Sequence, residues 1–142
     1  MRLSVYYGRA LLLALLAATA CPLTSGAEIH DAHFLTSDGV RLHYREAGEG
    51  GPTLVFIPGW LMPAEIFDHQ LSGLSVRHRT LVLSPRSQGQ SEAFAGPHTP
   101  ERRARDIHEF ICRTVRGPFV LVGWSLGVME GLDYVRRFRP KG

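Results

Sequence analysis

Phe119-Val120-Leu121-Val122-Gly123-Trp124-Ser125-Leu126-Gly127 is the stretch that decides how this chain folds. Its four leading apolar residues read as a strand buried on both faces. The pattern then switches to Gly-x-Ser-x-Gly and on into a helical spacing. A strand that bends sharply into a helix needs glycine where backbones crowd. The bend also exposes its central residue beside the helix N-terminus. A serine held there presents its hydroxyl as a nucleophile, which makes Ser125 the candidate reacting group and Gly123, Trp124 and Gly127 the frame of the bend. The plain alternative is a turn whose serine only caps the helix.

Upstream, Thr53-Leu54-Val55-Phe56-Ile57 is a second continuous apolar run, and Thr80 to Leu83 a third, shorter one. Ahead of them, His30, Ala32 and Phe34 alternate, Ser37-Asp38-Gly39 gives a turn, and Leu42 and Tyr44 alternate again. Asp-Gly between two such runs predicts a β-hairpin. Helical spacing marks Ala64 to Leu74, through Ile66, Phe67, Gln70, Leu71 and Leu74. Thr99-Pro100-Glu101 opens another helix, with threonine as N-cap and proline in the first turn. Ala104, Ile107, Ile111 and Val115 form the apolar stripe of that helix. The predicted order is a hairpin followed by β-α-β-α-β-α, an α/β architecture with parallel strands and right-handed crossovers.

The 142 residues allow one domain at most. Residues 1–27 read as an export signal, leaving 28–142 as the folded part. Arg2 and Arg9 form its positive end, and Ala10 to Ala20 its apolar stretch, too short for a membrane span of ~20 residues. Small-x-small sites end at Ala20 and Ala27. Cys21 just after Ala20 resembles a lipobox, so cleavage, lipidation and an uncleaved anchor all stay open. The reading implies an exported protein, periplasmic or secreted, that touches membrane only if Cys21 is lipidated. The formal charge of +3 falls to +1 once Arg2 and Arg9 are set aside, which excludes nucleic acid as an expected partner. The basic cluster Arg136, Arg137, Arg139 and Lys141 ends the last helix, where it complements the helix dipole. Cys112 is expected to be a small buried hydrophobe, and no Cys/His spacing suggests a metal.

Three segments in order resemble the α/β-hydrolase superfamily, in its esterase, lactonase and non-haem haloperoxidase-like branch. Phe56-Ile57-Pro58-Gly59-Trp60 looks like the family's third strand and oxyanion loop. Leu83-Ser84-Pro85-Arg86-Ser87-Gln88-Gly89-Gln90-Ser91 looks like its Asp-x-Arg-Gly-x-Gly-x-Ser segment after the fourth strand. Gly123 to Gly127 looks like its nucleophile elbow. The resemblance implies a sheet in the order 1-2-4-3-5 within a three-layer αβα fold whose C-terminal strands and lid are missing. It implies Ser125 as the nucleophile forming an acyl-enzyme and the Trp60 and Leu126 N–H groups as the oxyanion hole. Pro58 and Gly59 would form the oxyanion loop, the substrate would be a small carboxylic ester or lactone, and no cofactor is called for.

Pro58 stands where histidine is usual, and Ser84 and Ser87 stand where the family has Asp and Gly, which is expected to loosen that loop. Serine at the elbow argues against a haloalkane dehalogenase or an epoxide hydrolase. The family's acid and catalytic histidine come after the elbow, yet only 17 residues follow Ser125 and none is histidine. Truncation before the catalytic Asp and His, and an inactive chain, are the resulting expectations. Of the upstream histidines, only His98 is placed to substitute. His30, His33 and His43 are expected on the hairpin faces, and His69, His78 and His108 on surfaces or helix flanks. A non-catalytic binding module and a cofactor-free haloperoxidase or acyltransferase on the same scaffold are the alternatives.

Overall fold

The computed structural model describes residues 26–138. Residues 1–25, which hold most of the expected export signal and Cys21, and the basic residues Arg139 and Lys141 lie outside the described residues. Among the described residues, no helix is long and apolar enough to cross a membrane.

Strands β1 (His30–Leu35) and β2 (Arg41–Ala47) form the expected antiparallel hairpin. Its turn places Gly39 at φ +82, a left-handed conformation that glycine adopts without strain. Strands β3 (Thr53–Ile57), β4 (Thr80–Leu83) and β5 (Phe119–Gly123) complete one mixed sheet in the order β1-β2-β4-β3-β5. β2 pairs antiparallel with β4, while β3 pairs parallel with both β4 and β5.

Handedness then dictates the layers. The crossover from β3 to β4 runs toward the hairpin, and the one from β4 to β5 runs back past β3. Right-handed connections in opposite directions must place their helices on opposite faces of the sheet. Accordingly, a 3₁₀ turn (Ala64–Phe67) and helix α1 (Asp68–Leu74) cover one face, where Phe67 and Leu71 pack on Phe56 and Val82. Helix α2 (Pro100–Thr114) and helix α3 (Leu126–Phe138) cover the other, where Ala104, Ile107, Phe110 and Tyr134 meet Leu42, Val55, Ile57 and Leu81. Thr99 caps α2 by accepting the Arg102 N–H, as its sequence predicts.

Cys112 corrects an expectation: it is exposed. The α2 stripe that faces the sheet runs through Ile107, Phe110 and Ile111, and one residue further turns ~100° toward solvent. The segment after β4 is also tighter than its substitutions suggest. Ser84 is fully buried and its Oγ accepts the Ala64 N–H at 3.0 Å.

A charge network ties the hairpin turn to α2. Arg86, fully buried, forks onto Asp106 through Nε (2.6 Å) and Nη2 (2.8 Å), and Nη2 also reaches Asp38. Arg102 donates to Asp106 and Glu109, and Glu109 accepts both the N–H and the hydroxyl of Ser37. Burial pushes the Glu109 carboxyl up, but Ser37 and Arg102 outweigh it and hold it below its ordinary value of 4.5. A depressed carboxylate stabilises the fold above that ordinary value, and the contribution is lost as pH falls through the lower folded value. Glu109→Gln is therefore expected to cost about 1 kcal/mol at pH 6. Urea unfolding should show the gap to wild type shrinking as pH falls below about 4.

Candidate active site

Register builds the site. Ile57 lies opposite Gly123 on parallel strands, so the loops leaving β3 and β5 emerge side by side at the C-terminal edge of the sheet. Ligand sites in open α/β sheets collect at that edge. Trp124 donates its N–H to the Ile57 carbonyl at 3.0 Å, which fixes the second loop onto the first.

The backbone then reverses at Ser125, which sits at φ +53. A serine in the left-handed region is costly and persists only where its surroundings over-determine it. The glycines are part of that determination. A Cβ on Gly127 would lie 2.6 Å from the Pro58 carbonyl oxygen and closer still to that of Ile57. On Gly123 it would strike the backbone of Gly127 and Val128. On Gly59 it would stand 3.0 Å from Ser125 Cβ and 3.4 Å from Ser125 Oγ. Gly59 thus lets the loop after β3 approach the serine directly, and Ser125 itself is exposed.

The turn bonds around this bend use the N–H groups of Met62, Trp124, Gly127 and Val128; those of Trp60 and Leu126 are not among them. A cavity of roughly 340 Å³ opens here, with Trp60, Leu126, Met129 and His98 in its wall. Arg103 and Glu130 also line it, and each is only 5% exposed. Arg103 Nε donates to Glu130. Burial holds the Glu130 carboxyl above its ordinary range despite Arg103, which acts the other way. A larger cleft of roughly 670 Å³ lies by Ala47, Ser75 and Arg79, toward the opposite end of the sheet.

The histidines are placed as follows. His98 shares the cavity wall with Trp60 and Leu126, and its Nε2 lies 2.9 Å from Ser87 Oγ. Ser87 holds φ +60, the backbone its family glycine would supply. Its Oγ accepts the Phe94 N–H, which compensates for the lost freedom by pinning the loop. His43 differs from expectation: it is fully buried instead of lying on an open hairpin face. Its Nε2 meets Asp31 at 2.7 Å and its Nδ1 meets Ser84 Oγ at 3.0 Å. This serine–imidazole–carboxylate chain has the connectivity of a catalytic triad. Its serine, though, is sealed under the Ala64 N–H, so it braces β1, β2 and β4. Asp31, His43 and Glu65 bring ligand atoms within 4.8 Å of one another. Arg45 pairs with that same Asp31, and both ring nitrogens of His43 are engaged, so the group is balanced by a guanidinium already. His69 is exposed, and His108 stacks on Phe138 at 4.1 Å.

Charged Arg103 and Glu130 are the site residues that motif reading misses. Both fall in phase with apolar stripes, Arg103 four residues before Ile107 and Glu130 four before Tyr134, and a charge in phase with a stripe is the available signal. The glycine contacts give a paired test. Gly127→Ala should destabilise the fold by roughly 2 kcal/mol or more, because backbone carbonyls cannot yield. Gly59→Ala meets a side chain and should cost about half as much or less in the same denaturant titration.

The family model described as the alpha/beta hydrolase family matches residues 54–137. The 2-(acetamidomethylene)succinate hydrolase of Mesorhizobium japonicum is 28% identical over 116 residues, covering 79% of this chain and 41% of that protein. The human serine hydrolase BPHL is 33% identical over 101 residues, covering 67% of this chain and 34% of that protein. The solved structure of E-2-(acetamidomethylene)succinate hydrolase superposes with a TM-score of 0.68 at 27% identity, over 78% of this chain and 41% of that one. The chain thus spans about two fifths or less of the length of these curated relatives. Motif order, sheet order and matched span agree that this chain belongs to the alpha/beta hydrolase family.

Proposed function

We propose that this protein is a serine hydrolase of carboxylic esters or lactones, with Ser125 as the nucleophile of an acyl-enzyme. The observation that carries the reading is the left-handed, exposed Ser125 pressed against Gly59 at the C-terminal edge of β5. A serine hydroxyl at such a bend can reach a carbonyl carbon seated above it. The attack would place the developing oxyanion toward the Trp60 and Leu126 amides, each such fixed donor being worth ~3 kcal/mol. The acyl group would then occupy the cavity walled by Trp60, Leu126 and Met129. Water would release the acid and restore the serine.

A serine needs a proton acceptor, and residues 126–142 contain no histidine. His98, on the same cavity wall, is turned to Ser87. The reading therefore assigns this chain the nucleophile and oxyanion parts of the machinery, and predicts slow turnover by the 142 residues alone.

A fluorophosphonate probe tests it. Intact-mass and peptide analysis should find the probe on Ser125, with labelling accelerated several-fold by added imidazole acting as an external base. Ser125→Ala should take no label. A folded wild-type chain that stays unlabelled at Ser125 even with imidazole would favour a binding module on this scaffold.

A further inference from the structure

We propose that the recess between the loop after β4 and the first turn of α2 seats a carboxylate. The favoured acyl donors would then be esters or lactones that also carry a free carboxylate group. This rests on the reading of Ser125 as the nucleophile and adds the class of substrate.

The recess measures roughly 140 Å³, and Arg86, Ser87, Gln88, His98, Arg103 and Trp60 stand in its wall. Among the described residues, no carboxylate lines it. Two of its arginines have unspent donors. Arg103 is 5% exposed, its Nε is taken by Glu130, and its Nη1 and Nη2 have no hydrogen-bond partner among the described residues. Arg86 is fully buried, and its Nη1 is likewise without a partner. Leaving buried guanidinium N–H groups unpaired is costly, more so than for neutral donors. A guanidinium whose Nε is engaged still offers its paired Nη edge, and that planar fork matches a carboxylate better than it matches a single point acceptor.

Position connects the recess to the chemistry. Trp60, His98 and Arg103 line both this recess and the 340 Å³ cavity beside the elbow. The larger cavity has Trp60, Leu126 and Met129 for an apolar chain, and its carboxylates, Glu130 and Asp133, offer an anion no donor. Asp133 is engaged by Arg136 and Arg137. A substrate with its carbonyl at Ser125 would therefore lay methylenes across the cavity and direct its charged end past Trp60 to the arginines. Arg103 belongs to both spaces, but in the cavity it stands beside the Glu130 and Asp133 carboxylates, and in the recess beside Arg86.

Monomethyl glutarate, with one carboxylate and one ester, and dimethyl glutarate, with none, are the probes. Tryptophan emission of the 142-residue protein, with Trp60 in the wall of both spaces, reports their binding. Monomethyl glutarate should bind saturably and at least ~10-fold more tightly than the dimethyl ester. Arg103→Leu alone strands a buried Glu130, so the deciding variant is Arg103→Leu combined with Glu130→Leu, with folding checked by circular dichroism. That variant should bind the two esters alike. Arg103→Lys keeps the charge without the fork and should retain only part of the preference. Equal affinities in the wild type, or an undiminished preference in the double variant or in Arg103→Lys, would overturn the seat. Fluorophosphonate labelling run in parallel separates the two readings. Label on Ser125 without a carboxylate preference removes the seat and leaves the nucleophile. A carboxylate preference without label removes the nucleophile and leaves an anion-binding site.

Discussion

Parallel pairing of β3 with β5, with Ile57 opposite Gly123, is the constraint on which the site depends. It delivers two chain reversals to one point, and two main-chain contacts then hold them there. Trp124 gives its N–H to Ile57, and Gly127 leaves out the Cβ that would overlap the Ile57 and Pro58 carbonyls. With both flanks fixed, the left-handed backbone of Ser125 is imposed from outside, because the serine itself gains nothing from φ +53. The strain at one residue is thus carried by sheet register and by the glycines two positions to either side. Substitution at Gly127 therefore acts on folding and on the serine at once.

The arginines divide into two kinds of work. Arg86, through Nε and Nη2, and Arg102 pair with Asp38, Asp106 and Glu109, and these pairs tie the hairpin turn, the loop after β4 and α2 together. Such a buried network adds little net stability against an apolar core of the same shape, since desolvation offsets most of the attraction. What it does supply is placement: the loop that carries Ser87 and Gln88 stands at a fixed height beside the elbow. Arg103 has one carboxylate and two idle nitrogens, an imbalance its neighbours do not share to that degree.

Much of this was legible in the residues because it rests on local physics. Continuous apolar runs located β3, β4 and β5, and Asp38-Gly39 the hairpin. Thr99-Pro100 marked the first turn of α2, and the glycines at 123 and 127 marked the bend. The strand order came from resemblance to the hydrolase pattern, and the structure has that order. Illegible were the features that depend on pairing across distance. Sequence spacing cannot show that His43 meets Ser84, 41 residues away, while Asp31 closes the other side. Nor does it show that Ser84 repairs the segment by holding Ala64. Cys112 departs from cysteine's habit of burial because its phase on α2 turns it to solvent.

The sheet also treats its two edges differently. On the hairpin side, β1 covers β2, whereas among the described residues β5 pairs with β3 alone and leaves Val120 45% exposed. Beside it runs an apolar groove between β5 and α3, lined by Leu121, Val128, Leu132 and Val135, with Gly131 opening its floor. Ser125 sits at the end of that open edge. On its β3 side the approach is already filled, since Gly59 and Met62 lie against each other and Gly59 lies against the serine. On its β5 side, exposed Trp124 and Val128 leave room. The open β5 edge and the cavity walled by Trp60 and Leu126 thus flank the bend on two sides.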